Sequence, residues 1–146
     1  MGQTAVVATN ADRSLTMHET LQAALVVFLC ASFGSHLPVI QEHLEEATYV
    51  GVTFIAFVIA CAAMAVSVAF IDDRRLYAAA ALLCGAAVLA YVATRVVAFP
   101  QIGDDVGNWF EKWGVISVIS EVCAVAVAVA LYRTTELSDQ TPAGDR

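Results

Sequence analysis

Residues 47–71 read ATYVGVTFIAFVIACAAMAVSVAFI, 25 residues without a charged side chain. Glu42, Glu45 and Glu46 precede the run, and Asp72-Asp73-Arg74-Arg75 ends it. A strand of a soluble protein seldom exceeds about 10 residues, and a surface helix carries a charged stripe. This stretch does neither. As a helix rising 1.5 Å per residue it exceeds the roughly 30 Å hydrocarbon core of a bilayer. With no water at that depth, its backbone groups must be satisfied within the segment, so the run is a transmembrane helix.

Three further apolar segments flank it, and all four meet the same length test. The first covers residues 20–38, reaching about 28 Å as a helix, with Gly34 and Pro38 marking its end. The third covers 76–99 and stops at Pro100, and the fourth covers 112–132, its start falling somewhere between Trp109 and Val115. The whole chain is 146 residues, 60% apolar and only 14% charged, with a mean hydropathy of +0.74. Soluble domains carry about 25% charged residues, so a water-facing surface cannot be built from this composition. The expected fold is an all-α, integral membrane four-helix bundle, up-down-up-down. A polar N-terminal tail (1–18) and a polar, disordered C-terminal tail (133–146) lie outside the bundle (19–132).

Orientation follows from basic residues in the short loops. Arg13, Arg74, Arg75, Arg133 and Arg146 fall on one side, and Lys112 alone on the other. The chain is therefore expected to be N-in/C-in, a multi-pass protein of the plasma membrane. Tyr49, Trp109 and Trp113 near the outer boundary, and Tyr77 and Tyr132 near the inner one, suit the headgroup layers. Small residues spaced four apart, Ala56 with Ala60 and Ala81 with Gly85, permit close helix contact. The outer loops carry Glu42, Glu45, Glu46, Asp104, Asp105 and Glu111, an acidic face that attracts cations. No basic run exists for nucleic acid to use.

Cys30, Cys61, Cys84 and Cys123 all lie in apolar runs and read as small packing residues; only Cys61 and Cys84 lie at roughly matching depths. Two ionisable residues lie inside the spans, Arg95 and Glu121. A charge in hydrocarbon costs several kcal/mol unless paired or wet, so an intramembrane Arg95–Glu121 ion pair joining helices three and four is expected. A second constellation gathers His36, His43, Glu46, Asp104 and Asp105. Imidazole and carboxylate are zinc and copper(II) donors, and these five form a candidate metal site on the outer face. His18 is at the opposite boundary and cannot join it. No serine, histidine or glycine pattern forms a catalytic set, so no enzyme is expected.

Two motifs carry a resemblance: His36…Glu42-His43-Leu44-Glu45-Glu46, and Thr94-Arg95-Val96-Val97-Ala98-Phe99-Pro100 leading into Gly103-Asp104-Asp105-Val106-Gly107-Asn108-Trp109. Over residues 20–132 the chain resembles a family of small four-helix membrane proteins of high-GC Gram-positive bacteria with no assigned activity. The resemblance implies the fold and lends no ligand.

Three functions are compatible with these readings. The first is an accessory protein whose acidic outer face engages another membrane protein or a second copy. The second is a metal-binding or metal-sensing protein using the His/carboxylate set. The third is an ion or small-molecule conduit centred on Arg95 and Glu121. All converge on the outer third of the bundle.

Overall fold

The computed structural model describes residues 2–139, with side-chain surroundings for residues 15–135. It is helical, with no strand among the described residues. Helix α1 (Gly2–His36) is followed by a 3-10 turn (Leu37–Val39) and a short helix α2 (Ile40–Glu46). Then come α3 (Thr48–Phe70), α4 (Arg74–Val96), a 3-10 turn (Gly103–Asp105) and α5 (Lys112–Asp139). Four segments are long and apolar enough to cross a membrane, as in a multi-pass membrane protein: Leu15–Glu46, Thr48–Phe70, Arg74–Val96 and Lys112–Thr135.

Local chemistry sets the helix ends. The Pro38 ring has no N–H to donate, and α1 gives way to the 3-10 turn there. Asp73 adopts an extended backbone, and its Oδ1 accepts the Arg75 N–H at 2.7 Å, capping α4. The cap draws Arg74 and Arg75 into the first turn of α4, so this helix starts two residues before the expected 76. It stops at Val96 rather than 99 because Val97 is extended ahead of Pro100. α5 continues to Asp139, past the expected 132, so the first part of the predicted C-terminal tail is helical. Residues 140–146 of that tail lie outside the described residues. Residues 2–18, expected as a tail, extend α1.

α1 packs against α3 and α5, and α5 against α4, whereas α3 and α4 make few contacts. The tightest packing lies in the half nearest the Asp72–Asp73 turn. Leu25 and Leu29 of α1, Val68 of α3, Tyr77 and Ala80 of α4 and Leu131 of α5 are buried together there. Small side chains let the helices approach closely, but not those expected. Cys61 with Ala65, Ala80 with Cys84 and Ala124 with Ala128 are buried pairs at spacing four. Ala56 is exposed, and nothing lies within 4 Å of where a Gly85 Cβ would stand. Cys61 and Cys84 are buried, Cys30 is exposed and Cys123 is half-buried, all as free thiols. Exposed apolar side chains such as Ile59, Leu82 and Leu89 cover the exterior.

A polar clasp closes this same end. The Tyr77 hydroxyl donates to Asp72 Oδ1 at 2.7 Å, and His18 Nε2 of α1 lies 3.1 Å from Asp72 Oδ2. That imidazole is off the line of a hydrogen bond, so its contact with Asp72 is electrostatic. It also meets the Tyr77 ring edge-on at 6.2 Å between centroids.

Candidate functional site

The opposite half of the molecule is built from the last turns of α1, the start of α3, the end of α4, the 97–111 loop and the start of α5. Glu111 decides where α5 begins. Its carboxylate accepts the N–H groups of Trp113 and Gly114 at 3.0 and 2.8 Å, satisfying two amides that open the helix and placing negative charge at its positive end. Starting there, α5 carries Glu121 into the bundle, where its side chain is 1% exposed.

Glu121 faces α1. Ser32 Oγ donates to Glu121 Oε1 at 3.1 Å, and His36 Nε2 lies 3.9 Å from the same oxygen. Ser32 and His36 are four residues apart and so share a helix face. The His36 Nδ1 is 2.9 Å from the Ser32 carbonyl. A carbonyl only accepts, so Nδ1 carries the proton and Nε2 is the atom turned to the carboxylate. At 3.9 Å that contact is too long for a direct hydrogen bond.

Arg95 does not pair with Glu121 as expected. It is 6% exposed, and its Nη1 lies 2.6 Å from Asp105 Oδ1. Its guanidinium also stacks over the Tyr91 ring at 4.6 Å. The physical reason is reach. The loop after α4 folds back on the helix end, with Gly107 N–H donating to the Arg95 carbonyl at 3.0 Å. Gly107 has φ +82° there, a conformation that glycine adopts without strain. The returning loop delivers Asp105 to the guanidinium, while Glu121 is held by Ser32 of α1. Arg95 Nε has no acceptor among the described residues.

The expected metal set is dispersed as well. His36 and His43 both pack on Phe54, with ring centroids 5.0 and 4.9 Å away, so a phenyl ring stands against both imidazoles. His43 Nδ1 lies 2.8 Å from the Val39 carbonyl. Glu46 and Asp104 are exposed and Asp105 is taken by Arg95. Among the described residues no three His, Cys, Asp or Glu side chains converge on one point. The correction follows from α2, which turns His43 inward and Glu46 outward.

The arrangement leaves a cavity of about 500 Å³ between α3 and α4. Its back wall is polar and buried: Ser35 and His36 of α1, Arg95 of α4, Ser117 and Glu121 of α5. Its sides are aromatic, from Phe54, Phe57, Tyr91 and Trp113. Exposed Thr53, Ala86 and Ala90 line its mouth, which opens sideways between the helices. The Tyr49 hydroxyl donates to the Pro100 carbonyl at 2.7 Å, tying α3 to the loop above that mouth. Tyr91 OH likewise donates to the Trp109 carbonyl at 2.8 Å.

Sequence reasoning missed three members of this site: Asp105 as the partner of Arg95, Glu111 as the cap of α5, and the aromatic walls. The first carried a signal, since a loop carboxylate ten residues away is nearer than one on the next helix. The walls carried none, because Phe54 and Phe57 sit in a uniformly apolar run.

The chain matches no family model, no curated protein and no solved structure.

Proposed function

We propose that this is a multi-pass plasma-membrane protein, N-in/C-in with its helices alternating up and down, that binds a small amphipathic molecule in the cavity between α3 and α4. One observation carries the reading: a void of about 500 Å³ with exposed, mostly apolar residues of α3 and α4 at its mouth and a buried polar back wall. Small-molecule sites are typically concavities of roughly 300–1,000 Å³, mostly apolar, with a few placed polar groups. A bilayer-embedded mouth admits molecules that dissolve in lipid, and Glu121, His36 and Arg95 then meet the polar part. The uneven distribution of arginine supports the orientation.

The conduit reading is weaker. The half of the bundle holding Tyr77, Val68 and Leu131 is close-packed and clasped by His18, Asp72 and Tyr77, so the cavity has one open end. The acidic face of the accessory-protein reading is partly engaged within the chain. Asp105 binds Arg95, Glu111 caps α5 and Glu45 accepts from Gln41 at 3.2 Å.

The test is uptake of a neutral probe, neopentylbenzene, by protein in mild detergent, measured by equilibrium dialysis. Ala87→Phe, which fills the cavity from α4, provides the blank in the same detergent. The expected result is about one probe per chain above that blank, as befits a single cavity. Equal uptake by both proteins means that the void is no binding site.

A further inference from the structure

The cavity walls are not electrically balanced. Three carboxylates line it, Asp105, Glu111 and Glu121, against one guanidinium, Arg95, and no lysine. Two of the carboxylates are already compensated: Asp105 by Arg95 at 2.6 Å, Glu111 by the amides that open α5. Glu121 is not. Its hydrogen-bond donor is a neutral hydroxyl, His36 Nε2 stands off at 3.9 Å with the ring proton on Nδ1, and among the described residues no arginine or lysine pairs with it. It is also the least exposed of the three, so its ionised form lacks solvent, and a cation bound beside it would supply the missing countercharge in place of a proton.

Phe54 and Phe57 line the same cavity, and aromatic ring faces are electronegative and attract cations. One face each of Tyr91 and Trp113, which also line it, is already taken by Arg95 and Lys112. Negative potential and aromatic faces thus act in the same direction. Arg95 is the opposing feature, but Asp105 cancels its charge and Tyr91 covers its face.

Resting on the binding reading above, we infer that the ligand is a hydrophobic organic cation, an ammonium or phosphonium carrying apolar substituents, whose positive centre lies beside Glu121 and whose apolar part fills the aromatic sides. A lipid-soluble cation reaches such a site through the sideways mouth, and the acidic loops beside it raise its local concentration.

Three probes of nearly the same shape separate charge from cavity binding: benzyltrimethylammonium, its uncharged isostere neopentylbenzene, and phenylmethanesulfonate. Dialysis against the full chain in detergent, with Ala87→Phe as blank, is expected to give the order cation, neutral, anion. The cation should bind at least about tenfold tighter than the neutral probe, a step within the reach of one unscreened charge and an aromatic box. Glu121→Gln should reduce that preference to about twofold or less while neopentylbenzene still binds, which also reports that the variant folds. Glu121→Asp should keep most of the preference. Equal binding of cation and neutral probe, or preference for the sulfonate, overturns the cation assignment and leaves the cavity reading standing. Binding of none of the three above the blank overturns both. A cation preference unchanged in Glu121→Gln removes Glu121 from its role.

Discussion

The guanidinium of Arg95 is closed by Asp105, with Nη1 2.6 Å from Oδ1, so this buried arginine of α4 draws its anion from its own loop. Glu121 is thereby left to a serine and a histidine of α1. The division of charge in the cavity follows from this choice of partner.

Breaking that contact should loosen the loop. Asp105→Asn leaves a buried guanidinium without its anion and is expected to lower stability by about 2 kcal/mol, less than for a fully buried pair because Asp105 is partly exposed. Asp104→Asn, at the exposed neighbouring position, should change little. Unfolding midpoints in mild detergent decide it, and equal losses in the two variants would mean that the loop is anchored elsewhere.

The clasp at the other end is a second target. Tyr77→Phe removes the 2.7 Å bond to Asp72 and should cost about 1–2 kcal/mol, below the upper part of the roughly 1.5–3 kcal/mol range for a charged acceptor because Asp72 is exposed. Asp72→Ala should cost a similar amount, and the double variant less than the sum, because both changes delete one interaction. Simple additivity would show that the two residues act independently.

At Gly114 α5 runs close against Tyr91 of α4. A Cβ there would stand 2.6 Å from Tyr91 Cε2 and 2.8 Å from Glu111 Oε2. Gly114→Ala is expected to displace Tyr91, release its bond to the Trp109 carbonyl and destabilise the protein by about 1–3 kcal/mol, as overpacking does. Altered tryptophan emission together with a lower unfolding midpoint is the expected signature. A wild-type spectrum and midpoint would show that the tyrosine has room to yield.

Orientation has a direct test. With the four native cysteines replaced, Asp104→Cys should react with a membrane-impermeant maleimide on intact cells. Ser138→Cys, in the last turn of α5, should react only after permeabilisation. The reverse pattern would place the arginine-bearing side outside.

The four long helices were legible because a bilayer imposes one length and one backbone solution on any segment that crosses it. Residues 47–71, read as a span, became α3 (Thr48–Phe70) with one residue trimmed at each end. The ends of α4 and α5 were less legible, since they depend on two side chains, Asp73 and Glu111, turning back to the backbone. Glutamate is an unusual cap, and nothing in its neighbours distinguishes Glu111 from a solvated loop residue. The location of the candidate site in the half carrying His36, Arg95 and Glu121 was readable from the rarity of ionisable groups in the spans. Their pairing was not, because it depends on a loop that folds back on itself. The cavity depends on α3 and α4 standing apart, and uniformly apolar sequences carry no record of which helices avoid each other.

The half of the bundle where Tyr77 and Val68 pack is closed, and the exposed residues that line the cavity, Thr53 and Ala90 among them, lie away from it. On the binding reading, an occupant that enters between Thr53 and Ala90 also leaves there. Microscopic reversibility then ties the two rates together: a bulkier side chain at Ala90 that narrows the passage without touching the occupant slows arrival and departure by the same factor. Occupancy at equilibrium would be unchanged while residence lengthened. On the binding reading, dwell time and affinity would then be set in different places, one at the mouth and the other at Glu121.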